Sequence, residues 1–393
     1  MERKTEANPP QDGETKKTIR TFAVSSFFND MGSDMIYPIW PLFVASLGAN
    51  MAVLGLIDGI GNAIVSLSQA ISGYLSDRTR KRKVFIWLGY LFGGVSRLGY
   101  ALSATWHWLV PFRILDRAGK MRGAPRDAMV ADLSIRSNRG KNFGLIRTLD
   151  NAGALVGIVF CIAAFPLLGY RNLLLIAAVP SFIAVALIVI NIREKPLEDA
   201  KLFKGISFSH LDGNFKLFVI LSAVFALGAF SYSFLLIFAN RFGFQVSTVP
   251  VFYLLFTLVA TFCSYPFGVL SDRIGRKAVL QISYGLWGLV CLAMICADSA
   301  WMVVAAFVLF GLHQAGIDTV QKAFVAELGP AEYRASTLGG FQMVIGLCAL
   351  PASVAAGLLW DLIGMQAPFI LSLALTAISA TMLIFVHEKG RGC

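Results

Sequence analysis

The sequence predicts an all-α integral membrane protein with twelve transmembrane helices in two pseudo-symmetric six-helix bundles. Three observations carry that expectation. The chain is 56% hydrophobic and 15% charged, against about 45–50% and about 25% in soluble domains. It also repeats itself: Gly73-Tyr-Leu-Ser-Asp77-Arg78 returns as Gly268-Val-Leu-Ser-Asp272-Arg273, and 272 minus 77 gives an offset of 195 residues. The same shift superimposes Tyr37 on Tyr232, Trp106 on Trp301, Asp132 on Glu327, Arg139 on Arg334 and Gly169 on Gly364. Finally, Lys and Arg concentrate in alternate loops. A repeat this long inside an apolar chain marks two homologous membrane bundles, with the functional site expected between them.

A spanning helix needs roughly 20 mostly apolar residues. In the first half such windows begin near Thr21, Ala52, Val84, Trp108, Asn142 and Asn172. In the second they begin near Lys216, Ser247, Ala278, Trp301, Ala335 and Ala367. The long continuous apolar runs lack two-residue alternation, which excludes a transmembrane barrel. Residues 1–20 carry Pro9, Pro10, Gly13 and many charges, too little apolar surface to offset ordering, so they read as a flexible tail. No cleavable signal peptide is expected, because the first apolar stretch is long and contains two Asp. The bundles are expected at 21–192 and 216–387. A polar linker, 193–215, joins them, and 388–393 form a second tail.

The net charge of +11 would suggest nucleic acid in a soluble protein, but here its placement points to membrane topology. Arg3, Lys4, Lys16, Lys17 and Arg20, then Arg78 to Lys83, then Arg136, Arg139 and Lys141 mark one side. Arg193, Lys195, Lys201, Lys204, Arg273, Arg276, Lys277, Arg334, Lys389 and Arg391 continue it, while the intervening short loops hold only Arg171 and Arg241. The positive-inside rule puts both termini in the cytoplasm of a multi-pass cell-membrane protein. Six Cys and four His show no ligand or pairing pattern, so no metal, cofactor or disulfide is expected. Phosphate-binding, zinc-hydrolase and nucleophile-elbow motifs are absent, so neither an enzyme nor an ATP-driven pump is indicated.

The fourth helix is the outlier: Arg113-Ile-Leu-Asp116-Arg117-Ala-Gly-Lys120-Met-Arg122-Gly-Ala-Pro-Arg126-Asp127. An ionised side chain at mid-bilayer costs roughly 2.5–3.5 kcal/mol on translocon scales, so these groups must face protein or water and find partners. At 100° per residue, Arg113, Asp116, Arg117, Lys120 and Asp127 share one face, and Arg122 and Arg126 the opposite one. Pro125 is expected to kink the helix. Candidate partners are Asp30 and Asp34 in the first helix, Arg97 in the third, and Arg147 and Asp150 in the fifth. Their sum, seven cations against five anions, suggests a mildly cationic cavity. The second half is far less charged here, since Arg113 maps to Val308, Asp116 to Gly311 and Asp30 to Phe225. Coupling chemistry is therefore expected in the first half.

These features together resemble the major facilitator superfamily of secondary transporters over residues 20–388. Its signature loop, Gly-x-Leu-x-Asp-Arg-x-Gly-Arg-Lys, is complete as Gly268, Leu270, Asp272, Arg273, Gly275, Arg276 and Lys277. The first copy has Gly73, Leu75, Asp77, Arg78, Lys81 and Arg82, with Arg80 in place of the Gly. The resemblance implies a cytoplasmic gate of Gly73, Asp77, Arg78, Lys81, Asp132, Arg139, Gly268, Asp272, Arg273, Arg276, Glu327 and Arg334. In it Asp132 pairs with Lys81 and Glu327 with Arg276. Arg113 to Gly119 resembles the fourth-helix motif Arg-x-x-Gln-Gly-x-Gly, with Asp116 and Arg117 departing from it. Arg113 would then tune a proton-carrying acid, Asp34 or Asp30, with Asp116 beside it. Gly153 and Gly157 match only part of an antiporter motif, because Ile158 stands where Pro is usual.

Substrate-cavity candidates are Tyr37, Arg117, Lys120, Arg147, Asp150, Tyr232, His313, Gln314 and Asp318, with Trp40, Asn240 and Gln342 as further walls. His313 has a competing role as a packing residue, and Asp318 as an ion-pair partner of Lys322. The expected partners are a small organic solute, anionic or zwitterionic by the arginines, with protons as coupling ion, and the lipid bilayer. A monomer is expected, and no nucleic acid. The functional expectation is a proton-coupled transporter, with efflux antiport, uniport, sodium coupling or a transport-silent receptor as alternatives.

Overall fold

The structure is a computed structural model that describes residues 13–79, 81–134, 139–193, 212–329 and 334–388. Among them are fourteen α-helices, one 3-10 turn and no strand. The first repeat contains α1 (Gly13–Asp34), α2 (Trp40–Ser46), α3 (Met51–Thr79), α4 (Arg82–Leu102), α5 (Trp106–Ala118), a 3-10 turn (Gly119–Arg122), α6 (Gly123–Asp132) and α7 (Arg139–Asn191). The second contains α8 (Gly213–Gly228), α9 (Ser233–Phe242), α10 (Val249–Ile274), α11 (Arg276–Ile295), α12 (Ala300–Leu328), α13 (Arg334–Leu362) and α14 (Ala367–Ile384). Taking α1–α2, α5–α6 and α8–α9 as broken spans, and α7 as two helices joined at Gly169, gives twelve passes.

Among the described residues, eight helical stretches are apolar and long enough to cross a membrane. The segments outside that set, α1–α2, α4 and α5–α6, are those carrying Asp30, Asp34, Arg97 and the charged run from Arg113 to Asp127. Helix starts agree with the apolar windows to within a few residues, except that α1 begins at Gly13 inside the expected flexible tail. Glu14 favours that first turn through the helix dipole, and Thr18 and Ile19 are buried there, so residues 13–20 are anchored by packing. Residues 1–12, 194–211 and 389–393, which hold the rest of both expected tails and most of the expected linker, lie outside the described residues.

The breaks have local causes. Pro38 has no N–H to give the carbonyl of Asp34, where α1 ends. Pro125 cannot donate to the carbonyl of Met121, and the ladder tightens to 3-10 geometry just before it. The freed Met121 carbonyl accepts a hydrogen bond from Ser72 Oγ at 2.7 Å, the rescue by a neighbouring hydroxyl that a membrane interior requires. Two repeat-related pairs of glycines close short loops with positive φ, Gly48 with Gly243 and Gly169 with Gly364. A side chain is strained in that region.

Contacts divide the chain into two compact units. One comprises Met1–Ile36, Ser68–Leu102 and Leu115–Leu202. Its core joins Phe22 and Ala23 of α1, Ile86 and Tyr90 of α4, Val130 of α6, and Ile146, Ala184 and Ile188 of α7. Gly153 and Gly157 admit α1 closely, since a Cβ on either would lie 2.2 Å from the carbonyl of Phe27 or Met31. The other unit comprises Tyr37–Leu67, Ser103–Ile114 and Phe203–Cys393. Its interior is a lattice of rings in which Phe225 stacks on Tyr284 at 4.4 Å and Phe218 meets Phe324 at 4.9 Å. That second unit therefore holds pieces of the first repeat together with the whole described second repeat.

Candidate functional site

Asp58 sits two turns into α3, the one carboxylate in the apolar stretch Met51–Ser76. It is 2% exposed. Its Oδ1 accepts from Arg113 at 2.7 Å and from Trp40 Nε1 at 2.9 Å. Its Oδ2 accepts from Ser231 Oγ at 2.7 Å and Ser233 Oγ at 2.5 Å. Arg113 is 3% exposed, and its guanidinium lies 4.1 Å from the centroid of the Trp40 ring, a cation–π contact. Arg113 Nε is buried with no acceptor.

Each donor is placed by a local break or turn. Trp40 opens α2 beyond the Pro38 interruption, and Arg113 follows Pro111 in α5. Ser231 and Ser233 flank the interruption between α8 and α9, so Asp58 faces the N-terminal end of α9. A helix N-terminus stabilises an anion, and a broken transmembrane helix presents one at mid-depth.

A second polar cluster lies in the other unit. Arg122 is 3.7 Å from Asp30, and its guanidinium lies 4.9 Å from the Tyr90 ring. Arg126 bonds Ser26 Oγ at 2.6 Å and lies 3.8 Å from the buried Asp150. Asn29 Nδ2 donates to Asp30 at 2.9 Å. Next to this cluster, Arg97 is 1% exposed and donates to the carbonyls of Ala177 and Asn29 and to the hydroxyls of Ser33 and Ser181.

Several expectations change. The acid facing Arg113 is Asp58, not Asp30 or Asp34; Asp30 faces Arg122, and Asp34 is half-buried at the end of α1. The two-face partition of the fourth helix fails because the 3-10 turn breaks its 100° rotation. Asp127, beyond that turn, is exposed and accepts at 3.0 Å from its neighbour Arg126. Asp116 stays with its neighbour Arg117 at 3.7 Å, and Lys120 is half-buried in the 3-10 turn. Arg147 is exposed although Asp150 is buried. Adding Asp58 sets seven cations of that set against six anions, which halves the expected cationic surplus.

Among the remaining candidates, His313 is walled by Phe225, Trp287 and Phe310 and donates from Nδ1 to the Ser283 carbonyl at 2.8 Å. That is the packing role. Tyr37 and Gln314 are half-buried, Asp318 is exposed, and Tyr232 meets Tyr253 edge-on at 5.3 Å.

The signature loops keep the repeat's geometry with one slip. Gly73 opposes Ala124 and Gly268 opposes Thr319, positions 195 apart, and a Cβ on either would just touch its neighbour. Ser76 and Ser271 donate back to the carbonyls of Gly73 and Gly268. Arg276 meets Glu327 at 2.9 Å and Asp272 at 4.0 Å. In the first repeat, however, Asp132 binds Arg82 at 2.5 Å rather than Lys81, which is exposed. Likewise Lys83 reaches the carbonyl of Val189, as Lys277 reaches that of Ile384. Here 276 minus 82 gives 194, not 195. The second loop turns at Gly275 with φ 103°, whereas Arg80 replaces that glycine, so α4 starts one residue later in register. Arg78 and Arg273 are exposed. Arg139 and Arg334 open their helices, but their side chains, like that of Asp77, lie outside the described residues.

Sequence reasoning passed over Asp58, Ser231, Ser233 and Ser72. Asp58 carried a usable signal, a lone carboxylate inside the apolar run Met51–Ser76, where an ionisable group marks function by default. The serines carried none.

Comparison with known proteins fits the geometry. The Major Facilitator Superfamily model matches residues 22–263 and 217–392. The chain belongs to that superfamily. An uncharacterized MFS-type transporter of Methanocaldococcus jannaschii is 36% identical over 98% of both chains. Quinolone resistance protein NorA of Staphylococcus aureus is 27% identical over 36% of each. Among solved structures, a bacterial homolog of the human lysosomal transporter Spinster has a TM-score of 0.78 at 15% identity, over 96% of this chain and 97% of its own. The nucleoside transporter NupG has a TM-score of 0.72 at 18% identity, over 93% and 97%. These likenesses establish a multi-pass membrane protein of the superfamily fold.

Proposed function

We propose that this protein is a secondary active transporter, not an enzyme, that carries a small organic solute across the cell membrane by alternating access, with protons as coupling ion. The observation that supports this reading is the buried Arg113–Asp58 pair, with Asp58 inside an apolar span and Arg113 on the broken α5–α6 span beside it. Keeping two charges out of water costs several kcal/mol per ion, and such groups in membrane spans mark ion or proton pathways. A carboxylate that gains and loses a guanidinium partner can bind and release a proton. Asp58 takes the role that the sequence suggests for Asp34 or Asp30. The six-helix bundles at 21–192 and 216–387 are the moving bodies, the signature loops are the cytoplasmic gate, both termini are cytoplasmic, and the carrier is a monomer.

The test begins with a thermal-shift screen of metabolites and drugs on the purified protein. Hits are then offered to proteoliposomes under an imposed proton gradient or sodium gradient. Accumulation driven by protons supports the reading; solute movement that ignores protons, with or without sodium dependence, refutes it. The partial match to the quinolone resistance protein favours a second reading, proton-driven drug efflux. Hits confined to lipophilic drugs, moving against the proton flux, would select it.

A further inference from the structure

We infer that Asp58 is a proton-operated latch: ionised, it ties α3 and α5 of the first repeat to the start of α9 in the second, and protonation releases that tie. The inference deepens the proton-coupled reading and rests on it for its role in transport, but its geometry stands separately.

An ionised carboxylate has acceptor sites for about four hydrogen bonds, and Asp58 receives bonds from Arg113, Trp40, Ser231 and Ser233. A bound proton turns one of those sites into a donor. At least one bond must then break or reverse, and Arg113 loses its counter-charge in a site that excludes water. A charged group facing Asp58 is Arg113 of α5. The other elements around it bring Trp40 from α2, the serines and Tyr232 from 231–233, and the neutral Leu350 and Ser353 of α13 against Gly59 and Gly55.

The tie lies within a close contact between repeats. A Cβ on Gly55 would lie 2.0 Å from the Ser353 carbonyl, and one on Gly357 would lie 2.2 Å from that of Met51. Asp361 accepts from the backbone N–H groups of Met51 and Ala52 at 3.2 and 2.7 Å, but it is exposed. Asp58 is thus a buried titratable group at this contact. It holds the residues at an interruption of the helix ladder, because α8 ends at Gly228 and α9 begins at Ser233. The first-turn amides of α9, on Phe234, Leu235 and Leu236, bond back to Ser231 and Tyr232, so loosening the two serines exposes them.

Hydrogen–deuterium exchange of the full-length protein in lipid nanodiscs tests this, with rates at each pH normalised to amides of α14. In the wild type, the first-turn amides of α9 should exchange roughly tenfold or more faster at acidic than at mildly alkaline pH, the scale of a lost charge-assisted bond. In Asp58→Asn they should be fast at both. Should that variant loosen α14 as well, the Ser231→Ala/Ser233→Ala double variant decides, because it keeps the ion pair and should also make α9 fast at both. Exchange in α9 that ignores pH in the wild type, or that stays slow in the variant that folds, overturns the latch. If α9 responds as stated but the vesicles show no solute-linked proton movement, the latch stands and proton-coupled transport fails. If protons move while α9 ignores pH, the reverse holds.

Discussion

Removing both halves of the Arg113–Asp58 pair together should cost clearly less than the two single cuts added up. The two side chains are 4% and 3% exposed, so no solvent screening softens their interaction. Removing one partner of a buried pair costs roughly 3–5 kcal/mol, because the other charge stays buried and unpaired. Arg113→Met leaves Asp58 with three neutral donors; Asp58→Asn leaves a guanidinium against an amide and the Trp40 ring. The double variant has no stranded charge, and the amide introduced at position 58 can still bond Trp40 and the serines. Its cost should fall short of the sum of the single variants by roughly 2–3 kcal/mol, a coupling within the range of contacting pairs. Unfolding by increasing mole fraction of SDS in mixed micelles, followed by intrinsic tryptophan fluorescence, supplies all four free energies. Single-variant costs that add to the double-variant cost within about 0.5 kcal/mol would mean the pair is wet or uncoupled, and the physical case for Asp58 would be lost.

Ser72→Ala strips the hydroxyl from the Met121 carbonyl and should cost about 1–3 kcal/mol, the penalty of a buried acceptor left unpaired, in the same unfolding assay. Gly55→Ala forces a methyl against the Ser353 carbonyl backbone and should cost about 1–3 kcal/mol. Gly144→Ala in α7, where a Cβ meets nothing within 4 Å, should instead stabilise by about 0.5–1 kcal/mol; equal effects of the two substitutions would contradict the close α3–α13 contact. Glu327→Gln weakens a pair with Arg276 whose side chains are 42% and 23% exposed. It should change stability by less than about 1 kcal/mol while slowing transport in vesicles, and a large stability loss would move this pair from gate to scaffold.

Much of the architecture was legible because it rests on periodic, local properties. Twelve passes, two repeats and most helix starts follow from apolar run length and self-similarity, and the fourth helix's charge announced itself against its surroundings. The pairing of those charges was not legible. The rotation rule assumes an unbroken helix through Gly119–Arg122, and the 3-10 turn before Pro125 cancels it. The one-residue slip of the first signature loop was equally hidden, since a missing glycine at position 80 reads as a mere mismatch until the partner of Asp132 is seen to be Arg82.

Arg113 shows where the boundary lies. The sequence alone determined that a guanidinium in this span needs an anionic partner, because the cost of an isolated charge in hydrocarbon depends only on residue type and depth. Only the tertiary structure decided that the partner is Asp58, 55 residues away, and that Ser231 and Ser233 from the other repeat complete its shell. Which side chains meet depends on helix breaks and on packing within a few ångströms across distant segments, and neither residue spacing nor hydropathy encodes those directions.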